Sequence, residues 1–487
     1  MIIFSNKIYV VSEMIAIDIP KSAQFCLDTL ENAGFKAFIV GGFVRDFILV
    51  KNDSPHNGKN YDIDIASDAS PEQTEKLFGE YRILKTGVKY GTITVIIGEC
   101  KFEITSFRAE EDYTDSGHPG KVRFIGSLAE DLSRRDFTIN AAAYNPSAGL
   151  TDIFGAASDM SSGILRCIGE PLTRFSEDPL RILRGIRFIS CLKKNNGSFF
   201  TAEKNTKSAM FEAKEKLTAI SPERASAELF KILLGENAKN ALLEFFEIIC
   251  VILPELRPMY RFKQNNMYHI YDVLEHSLAA VESIKDDPVL KLSALLHDIG
   301  KPYCYSVDSR GVGHFYGHAE KGAEISGKIL DRLRLGGRVK KRILTVIKYH
   351  DTPIITGERL LKNISQCPDA EACVRRRLAD IGYQSFCDII FMKMADNAAK
   401  HHRCLKRNEV LEDILKTAEA ENSQDKRCFR LSHLAVNGED IKTLGVPESS
   451  EIGRILDKLL QLVIDSKLKN TRSELLNYAE NELFTKN

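Results

Sequence analysis

Two carboxylates two residues apart, set among β-branched residues, are the first feature of this 487-residue chain that could do chemistry: "YDIDIAS" at 61–67. Side chains alternate between the faces of a strand, so Asp62 and Asp64 share one face and Ile63 and Ile65 take the other, toward a core. Carboxylates held this close repel each other unless positive charge sits between them. Divalent magnesium fits that need, because it prefers oxygen ligands and takes a few carboxylates together with substrate phosphates. A solvated strand face, or capping of the following turn, would use the same residues, so the neighbouring segments have to decide.

Upstream, "FIVGGFVRD" reads as a strand, a Gly-Gly turn and a helix start. Gly41 and Gly42 let backbone N–H groups approach an anion, and a helix N-terminus favours negative charge, so a phosphate can sit there. Downstream, "KFEITSFR" offers Glu103 on a neighbouring strand between apolar Phe102 and Ile104. A third carboxylate beside the pair would complete a two-metal site, and an ordinary structural role for Glu103 stays open.

The elements that must hold these groups follow from periodicity. Residues 14–150 mix helices with short strands: an amphipathic helix after Met14, a turn at Gly34, the strand "KAFIV", then "YDIDIAS", "GTITVIIG" and "KFEITSF". The leading "MIIFSNKIYVVSE" reads as an extension upstream of Met14. From about residue 155 strand signals nearly vanish. "EDPLRILRGIRFISCL", "PERASAELFKILL" and "ALLEFFEII" carry helical periodicity, a second helical block runs from near Asn266 to about 405, and a third fills the C-terminus. The expected fold class is an α/β head, a small mixed sheet with helices, followed by an elongated all-α body. The length suits roughly three domains.

Composition narrows the function classes. At 44% hydrophobic and 28% charged, the chain has the apolar content of globular cores. Lys+Arg and Asp+Glu are both 67, which excludes binding nucleic acid by bulk charge but leaves room for a local basic groove. The 11 cysteines are odd in number, include no CxxC pair and follow no visible signal peptide, as expected of reduced thiols in a cytoplasmic protein. The most apolar stretch, "ALLEFFEIICVILPEL", is interrupted by Glu244 and Glu247 and falls short of the ~20 apolar residues of a membrane span, so it is expected to be a core helix.

"GGFVRD", "YDIDIAS", "TGVKYGTITV" and "FEITSFR", in this order, resemble the head of the class II nucleotidyltransferases, the bacterial family of CCA-adding enzymes and related poly(A) polymerases. The resemblance continues through "EDLSRRDFTINAAAY", "LTDIFGAASDM", "RFSEDPLRILRGIRF" and "SPERASAELFKIL", and the C-terminal "LAVNGEDIKTLGV" resembles the family's RNA-binding tail. It implies that Asp62 and Asp64 hold two Mg2+ ions for nucleotidyl transfer, with Glu103 beside them, and that Gly41, Gly42, Arg45 and Arg184 belong to the nucleotide site. The loop "AEEDYTDSGHPGKVRF" resembles the flexible loop used in switching from C to A addition, but departs from it at Gly117, near which an arginine is usual.

The resemblance implies that the incoming base is read by protein side chains. Asp178 and Arg181, three apart in "SEDPLRILRGIRF", are expected on one helix face. An aspartate accepts hydrogen bonds and an arginine only donates them. Cytosine and adenine both present an amino donor beside an acceptor ring nitrogen, whereas uracil and guanine present the reverse. One Asp/Arg pair therefore accepts CTP and ATP and leaves buried groups unpaired with UTP or GTP. A surface ion pair would show the same spacing. In "RRDFTIN", Arg134 and Arg135 suit a triphosphate and Asp136 a ribose hydroxyl, or simply the charged start of a helix; the family resemblance favours nucleotide binding, with Arg135 and Asp136 the stronger candidates.

The second helical block holds "LEHSLAA", "LLHDIGKP", "FYGHAEKGAE", "IKYHD" and "MKMADNAAK". Imidazole and carboxylate suit divalent transition metals. His276, the His297-Asp298 dyad and Asp396 resemble the spaced pattern of the HD phosphohydrolase superfamily, and His318 and His350 fall where some members have further ligands. Where such a centre is active, a metal-bound hydroxide attacks a phosphoester; the fold also persists as scaffold. "GVGHFYG" lacks the strand–turn–helix setting of a dinucleotide fingerprint. "VRRRLAD" and "KHHRCLKR" suit RNA phosphates or plain solvated helix faces equally.

The expected organisation is a nucleotidyltransferase head at 14–154, a helical neck for nucleotide and RNA recognition at 155–260, an HD domain at 266–405 and a tRNA-binding tail at 406–487. The expected function is template-independent addition of C and A to tRNA 3′ ends from CTP and ATP, with two Mg2+, without a membrane or an obligate protein partner. A poly(A) polymerase, or an enzyme adding only A or only CC, is the nearest alternative. An HD phosphohydrolase with an RNA-binding head is the alternative of another class.

Overall fold

The alternation in "DIDIAS" does build a strand. In the computed structural model, which describes residues 17–50, 62–115, 118–423, 429–446 and 450–484, Ile63 and Ile65 are fully buried while Asp62 and Asp64 face outward. The strands of this region are β1 (Ala37–Val40), β2 (Asp62–Ser67), β3 (Arg82–Leu84), β4 (Thr92–Ile97), β5 (Cys100–Ser106), β6 (Arg108–Asp115), β7 (His118–Phe124), β8 (Ala142–Asn145) and β9 (Gly149–Asp152). Seven of them form one mixed sheet in the order β3-β4-β5-β2-β1-β8-β9, in which β2 and β5 run parallel and the other pairs antiparallel. On the core face Ile63, Ile65, Ile93, Val95, Phe102 and Ile104 are each at most 2% exposed. Burying each such side chain is worth about 2 kcal/mol, which anchors the strands firmly enough to hold carboxylates on the opposite face.

β6 and β7 form a separate antiparallel hairpin. It carries the "AEEDYTDSGHPGKVRF" segment; Gly117, like Met14 and the leading segment, lies outside the described residues.

Two expectations need correction. Asp178 does not lie on a helix: Pro171–Glu177 and Leu180–Cys191 are separate helices, and Asp178 between them is extended, at φ −138 and ψ 97. The cause is Pro179, whose ring disfavours helical backbone at the preceding residue. The Asp178 side chain instead accepts from the amide of Leu180 at 3.1 Å, so it caps the second helix. Similarly, "ALLEFFEIICVIL" forms two helices, Ala238–Glu244 and Phe246–Ile252, broken at Phe245. Phe245 is fully buried and stacks on Phe211 at 5.7 Å, a tertiary contact that propensity could not foresee. Beyond residue 155 one more strand pair persists in this unit, Ile164–Leu165 with Thr201–Ala202.

The chain divides into two compact units, Met1–Pro254 and Glu255–Asn487. In the second, the helices Val273–Ser283, Pro288–Leu296, His318–Arg332, Gly337–Tyr349 and Tyr383–Ala398 pack together. The C-terminal helices Gly438–Lys442, Ser450–Ile464 and Arg472–Phe484 share a small core of Ile441, Leu459, Leu475 and Ala479. Two arginines of "VRRRLAD" are committed to this region: Arg375 donates to the Ile464 carbonyl at 2.6 Å and Arg376 pairs with Asp465 at 2.7 Å. Among the described residues no helix is long and apolar enough to cross a membrane.

Candidate functional site

In the first unit the register of three strands assembles the site. Asp64 lies opposite Val40 on β1 and opposite Glu103 on β5. The chain leaves β1 through Gly41, at φ +74, and enters the helix Gly42–Val50. A Cβ on Gly41 would lie 3.1 Å from Asp64 Oδ2 and 3.6 Å from Arg135 Nη1, so both the backbone angle and the close approach call for glycine here. Asp64 is crowded by protein atoms although it reaches the surface. That desolvation, and then Glu103 and Asp62, raise its pKa, while Arg135 pulls it down. Glu103 is held by Lys101 at 2.5 Å.

These groups open onto a cavity of about 790 Å3 lined by Gly41, Gly42, Asp64, Glu103, Asp136 and Asp178 together with eight arginines: 45, 108, 134, 135, 181, 184, 187 and 224. Eight guanidiniums and four carboxylates thus face the cavity, and Asp46, Asp131, Glu177 and Glu228 behind the lining pair with Arg45, Arg134, Arg135, Arg181 and Arg187. Three of the guanidiniums, of Arg45, Arg184 and Arg187, lie 5.3, 5.8 and 4.5 Å from the ring of Phe188, whose electron-rich face eases their mutual repulsion. Asp62, at the start of β2, is not part of the lining.

Asp136 is buried and held through both of its oxygens. Its Oδ1 accepts from Asn140 at 3.0 Å and from the Phe137 amide at 2.8 Å, and its Oδ2 accepts from Arg184 at 2.7 Å. Burial opposes ionisation, but Arg184 and Asn140 outweigh it and draw the carboxyl down to about 2. Asn140 also accepts from Arg45 at 2.9 Å, which ties the Gly-Gly helix to Asp136. Arg135 bonds Asp131 at 3.3 Å and keeps a buried Nε without a partner.

Asp178 and Arg181 both line the cavity but do not pair with each other in the expected way. Asp178 is held by Arg224, at 3.1 and 3.3 Å, from the helix Pro222–Leu234. Arg181, only 7% exposed, donates to Glu177 at 2.9 Å and to the carbonyls of Arg174 and Arg134 at 3.1 and 3.0 Å. Arg108, Asn140, Arg187, Phe188 and Arg224 escaped the sequence reading. The spacing of "RILRGIRF", which repeats cations along one side of a helix, could have pointed to Arg187 and Phe188; Arg224, 46 residues beyond Asp178, gives no local signal.

A second centre lies wholly in the helical unit. His276 sits within its helix, Asp396 lies in the last turn of Tyr383–Ala398, and His297, His318 and His350 mark helix ends. His276 Nε2 is 2.9 Å from Asp396 and 3.4 Å from Asp298, and His297 Nε2 is 3.1 Å from Asp298 and 3.8 Å from Asp396. His318 and His350 approach Asp298 from the other side, at 3.5 and 3.8 Å. His276, His297 and Asp298 place one ligand atom each within 4.8 Å of one another, and so do Asp298, His318 and His350, a spacing able to hold metal ions. Among the described residues Asp62, Asp64 and Glu103 do not close to that spacing.

His297 Nε2 and Asp298 Oδ2 are buried and lack a hydrogen bond of good geometry, and the Lys301 ammonium lies 2.6 Å from Asp298 Oδ2 as its counter-ion. Burial disfavours the charged form of His297, yet Asp298 and Asp396 prevail and lift it to about 9. His269 beside them goes the other way, pushed down to about 2 by burial and then by Lys301 and Lys400. Gly300 packs against the His318 backbone with no room for a Cβ. The adjoining cavity, about 530 Å3, is lined by Lys301, Lys348, Lys393, Lys400, Arg359 and Arg407 beside Asp298 and Asp396.

Three family models match the chain: the poly A polymerase head domain over residues 37–166, the probable RNA and SrmB-binding site of polymerase A over 199–259, and the HD domain over 266–429. The CCA-adding enzyme of Bacillus subtilis (strain 168) is 33% identical over 357 residues, 73% of this chain and 81% of that protein. The CCA-adding enzyme of Lactobacillus helveticus (strain DPC 4571) is 36% identical over 284 residues, 58% of this chain and 66% of its own length. Several further curated relatives of that name match over only about half of their length. In fold, the crystal structure of the Bacillus stearothermophilus CCA-adding enzyme in complex with CTP superposes with a TM-score of 0.68 at 23% identity, covering 95% of this chain and 97% of that one. With a third of its residues identical across four fifths of the Bacillus subtilis protein, and with the polymerase head model matched on the sheet that carries Asp64, the chain belongs to the family of CCA-adding enzymes.

Proposed function

We propose that the protein adds C and A to tRNA 3′ ends without a nucleic-acid template, using CTP and ATP and releasing pyrophosphate. The observation that carries this reading is the meeting, in one cavity, of the Gly41-Gly42 turn, the Asp64–Glu103 strand pair and the Asp178-capped helix among eight arginines. A triphosphate matches the surplus positive charge, with Arg45, Arg135 and the turn amides as its partners. Asp136, locked to Arg184, offers a fixed acceptor edge for ribose. Asp178 and Arg181 present acceptor and donors to the base, the complement of cytosine and adenine.

The oxygen donors Asp62 and Asp64, with Glu103 beside them, fit a hard divalent cation, and we assign two Mg2+ to them. When bound, such ions polarise the attacking 3′-oxygen and the departing pyrophosphate. The remaining work falls to the side chains: orienting the α-phosphate, neutralising the triphosphate and rejecting the wrong base. The division into a head at 14–154, neck at 155–260, HD domain at 266–405 and tail at 406–487, and a cytoplasmic location suited to tRNA, belong to the same reading. The deciding assay supplies purified protein, tRNA lacking its 3′ end and each NTP separately, with products sized on a gel. C and then A addition, with no U or G, is expected; A-only or open-ended A addition would transfer the reading to a poly(A) polymerase or A-adding enzyme.

The buried Asp298 cluster supports a second activity on the same chain, phosphoester hydrolysis with a divalent transition metal. Imidazole and carboxylate donors fit such ions, which when bound supply an activated water. Lys301 and Lys400, lining the adjoining cavity, would hold the phosphoryl oxygens.

A further inference from the structure

The cavity of the first unit has two unlike sides. Asp64 and Glu103 stand side by side on β2 and β5, and the register continues outward to Val40 on β1 beyond Asp64 and to Thr94 on β4 beyond Glu103. On the β1 side stand Arg45 and Arg135, close to the Gly41-Gly42 turn, as partners of the proposed triphosphate. The β4 side is lined instead by uncharged groups, Thr86, Tyr90, Thr92 and Thr94, together with Arg108.

The backbone that carries Tyr90 is closely fixed. The Gly87 carbonyl accepts from the amides of Tyr90 and Thr92, at 2.9 and 3.1 Å, which closes the turn Val88–Tyr90 onto the start of β4. Gly91 follows at φ +80, where a Cβ would lie 2.9 Å from the Phe124 ring of the hairpin. Arg108, at the base of that hairpin, donates to the Tyr90 carbonyl. A half-buried aromatic ring on so constrained a backbone meets a ligand at little cost in conformational freedom.

In nucleotidyl transfer the attacking oxygen and the departing pyrophosphate lie in line through the α-phosphorus. With the triphosphate on the β1 side of Asp64, the RNA 3′ end has to enter from the β4 side, over Glu103. The last base of that end does not stay the same through successive additions of C and A. Its seat therefore has to hold any base, which hydrogen bonds matched to one base cannot do and a stacking face can, because every base has a π-face.

We propose that the β4 side seats the terminal nucleoside of the acceptor RNA, with its base stacked on Tyr90. The proposal rests on the reading of this cavity as a nucleotidyltransferase site.

Steady-state addition of A by the full-length protein tests it with two acceptors, a tRNA ending in CC and the same tRNA with its last base removed. In the wild type the missing base should lower kcat/KM toward tRNA by about tenfold, within the worth of one base–aromatic stack. Tyr90→Ala should lower kcat/KM toward the intact tRNA by a similar factor, leave the KM for ATP unchanged and lose little more when the base is missing. Tyr90→Phe, which keeps the ring, should keep the sensitivity to the missing base. A wild type indifferent to the missing base overturns the seat without any variant having to fold. So does a Tyr90→Ala variant as sensitive to the missing base as the wild type, or one in which only the KM for ATP rises, which would put the ring against the incoming nucleotide. If the wild type extends neither tRNA with any NTP, the nucleotidyltransferase reading falls and takes the seat with it.

Discussion

Arg224 grips both oxygens of Asp178, at 3.1 and 3.3 Å, although Asp178 lies in the break between two helices, Arg224 lies on a third, and 46 positions separate them. The carboxylate proposed to read the base is thus aimed by a partner outside its own motif. Arg224→Ala should leave Asp178 free to swing, and should reduce discrimination against UTP and GTP by about tenfold, the worth of one charge-assisted hydrogen bond. Asp178→Ala and Arg181→Ala should relax selectivity further and slow CTP and ATP use. Single-nucleotide incorporation measured with all four NTPs checks this; unchanged selectivity in all three variants would assign base reading elsewhere.

Asp62→Ala and Asp64→Ala should each abolish C and A incorporation, by at least about a hundredfold, because each removes an oxygen donor from the proposed metal pair. Binding of tRNA, followed by filter retention, should stay close to wild type. Near-normal incorporation by Asp62→Ala would exclude that residue from the metal site.

At Gly41 the backbone angle of +74° strains any L side chain, and a methyl group 3.1 Å from Asp64 Oδ2 would push that carboxylate aside by a few tenths of an ångström. Gly41→Ala should cost roughly 1–2 kcal/mol for the left-handed backbone, read from urea unfolding. It should lower incorporation by more than the stability loss explains, since the new Cβ displaces a carboxylate. Stability and activity both at wild-type levels would contradict this geometry.

Asp136 gives a pH prediction. Its carboxyl falls from 3.8 to about 2 on folding, because Arg184 and Asn140 outweigh the burial that opposes ionisation. A depressed carboxyl stabilises the fold at pH values above its unfolded pKa and loses that contribution as pH falls toward the folded value. About 2 kcal/mol should therefore disappear between roughly pH 4 and pH 2. In Asp136→Asn this part of the acid dependence should be missing, as measured by urea unfolding at a series of pH values.

His297→Ala combined with Asp298→Ala should spare nucleotide addition, because the two candidate centres lie in separate units with their own donor sets. The same change should lower bound transition metal, quantified by elemental mass spectrometry, and remove any phosphoester hydrolysis. A thermal melt confirms that the variant is folded. Loss of C and A addition in a folded variant would mean that the centres are coupled.

Local chemistry was legible in the sequence. Alternation in "DIDIAS" foretold which face Asp64 and Ile65 would take, because a strand's period is fixed by its backbone. The spaced histidines and aspartates foretold the cluster around Asp298, although 120 residues separate His276 from Asp396. What escaped depended on tertiary packing. The extended backbone at Asp178 was visible in principle, since Pro179 follows it, but helical periodicity masked the proline. The break at Phe245 answers to the buried stack on Phe211, and the grip of Arg224 on Asp178 to the packing of two helices; neither leaves a mark within a local window.

The excess of four guanidiniums over carboxylates in the first cavity has a consequence for capture of RNA. The whole chain balances at 67 charges of each sign, so outside that cavity negative charge must exceed positive by four. A polyanion is therefore received better at that arginine-lined mouth than over the rest of the chain on average, and low-dielectric walls concentrate the field there. The protein gains directed encounter without the indiscriminate stickiness of a basic protein, and its association rate with RNA should fall steeply as added salt screens that field.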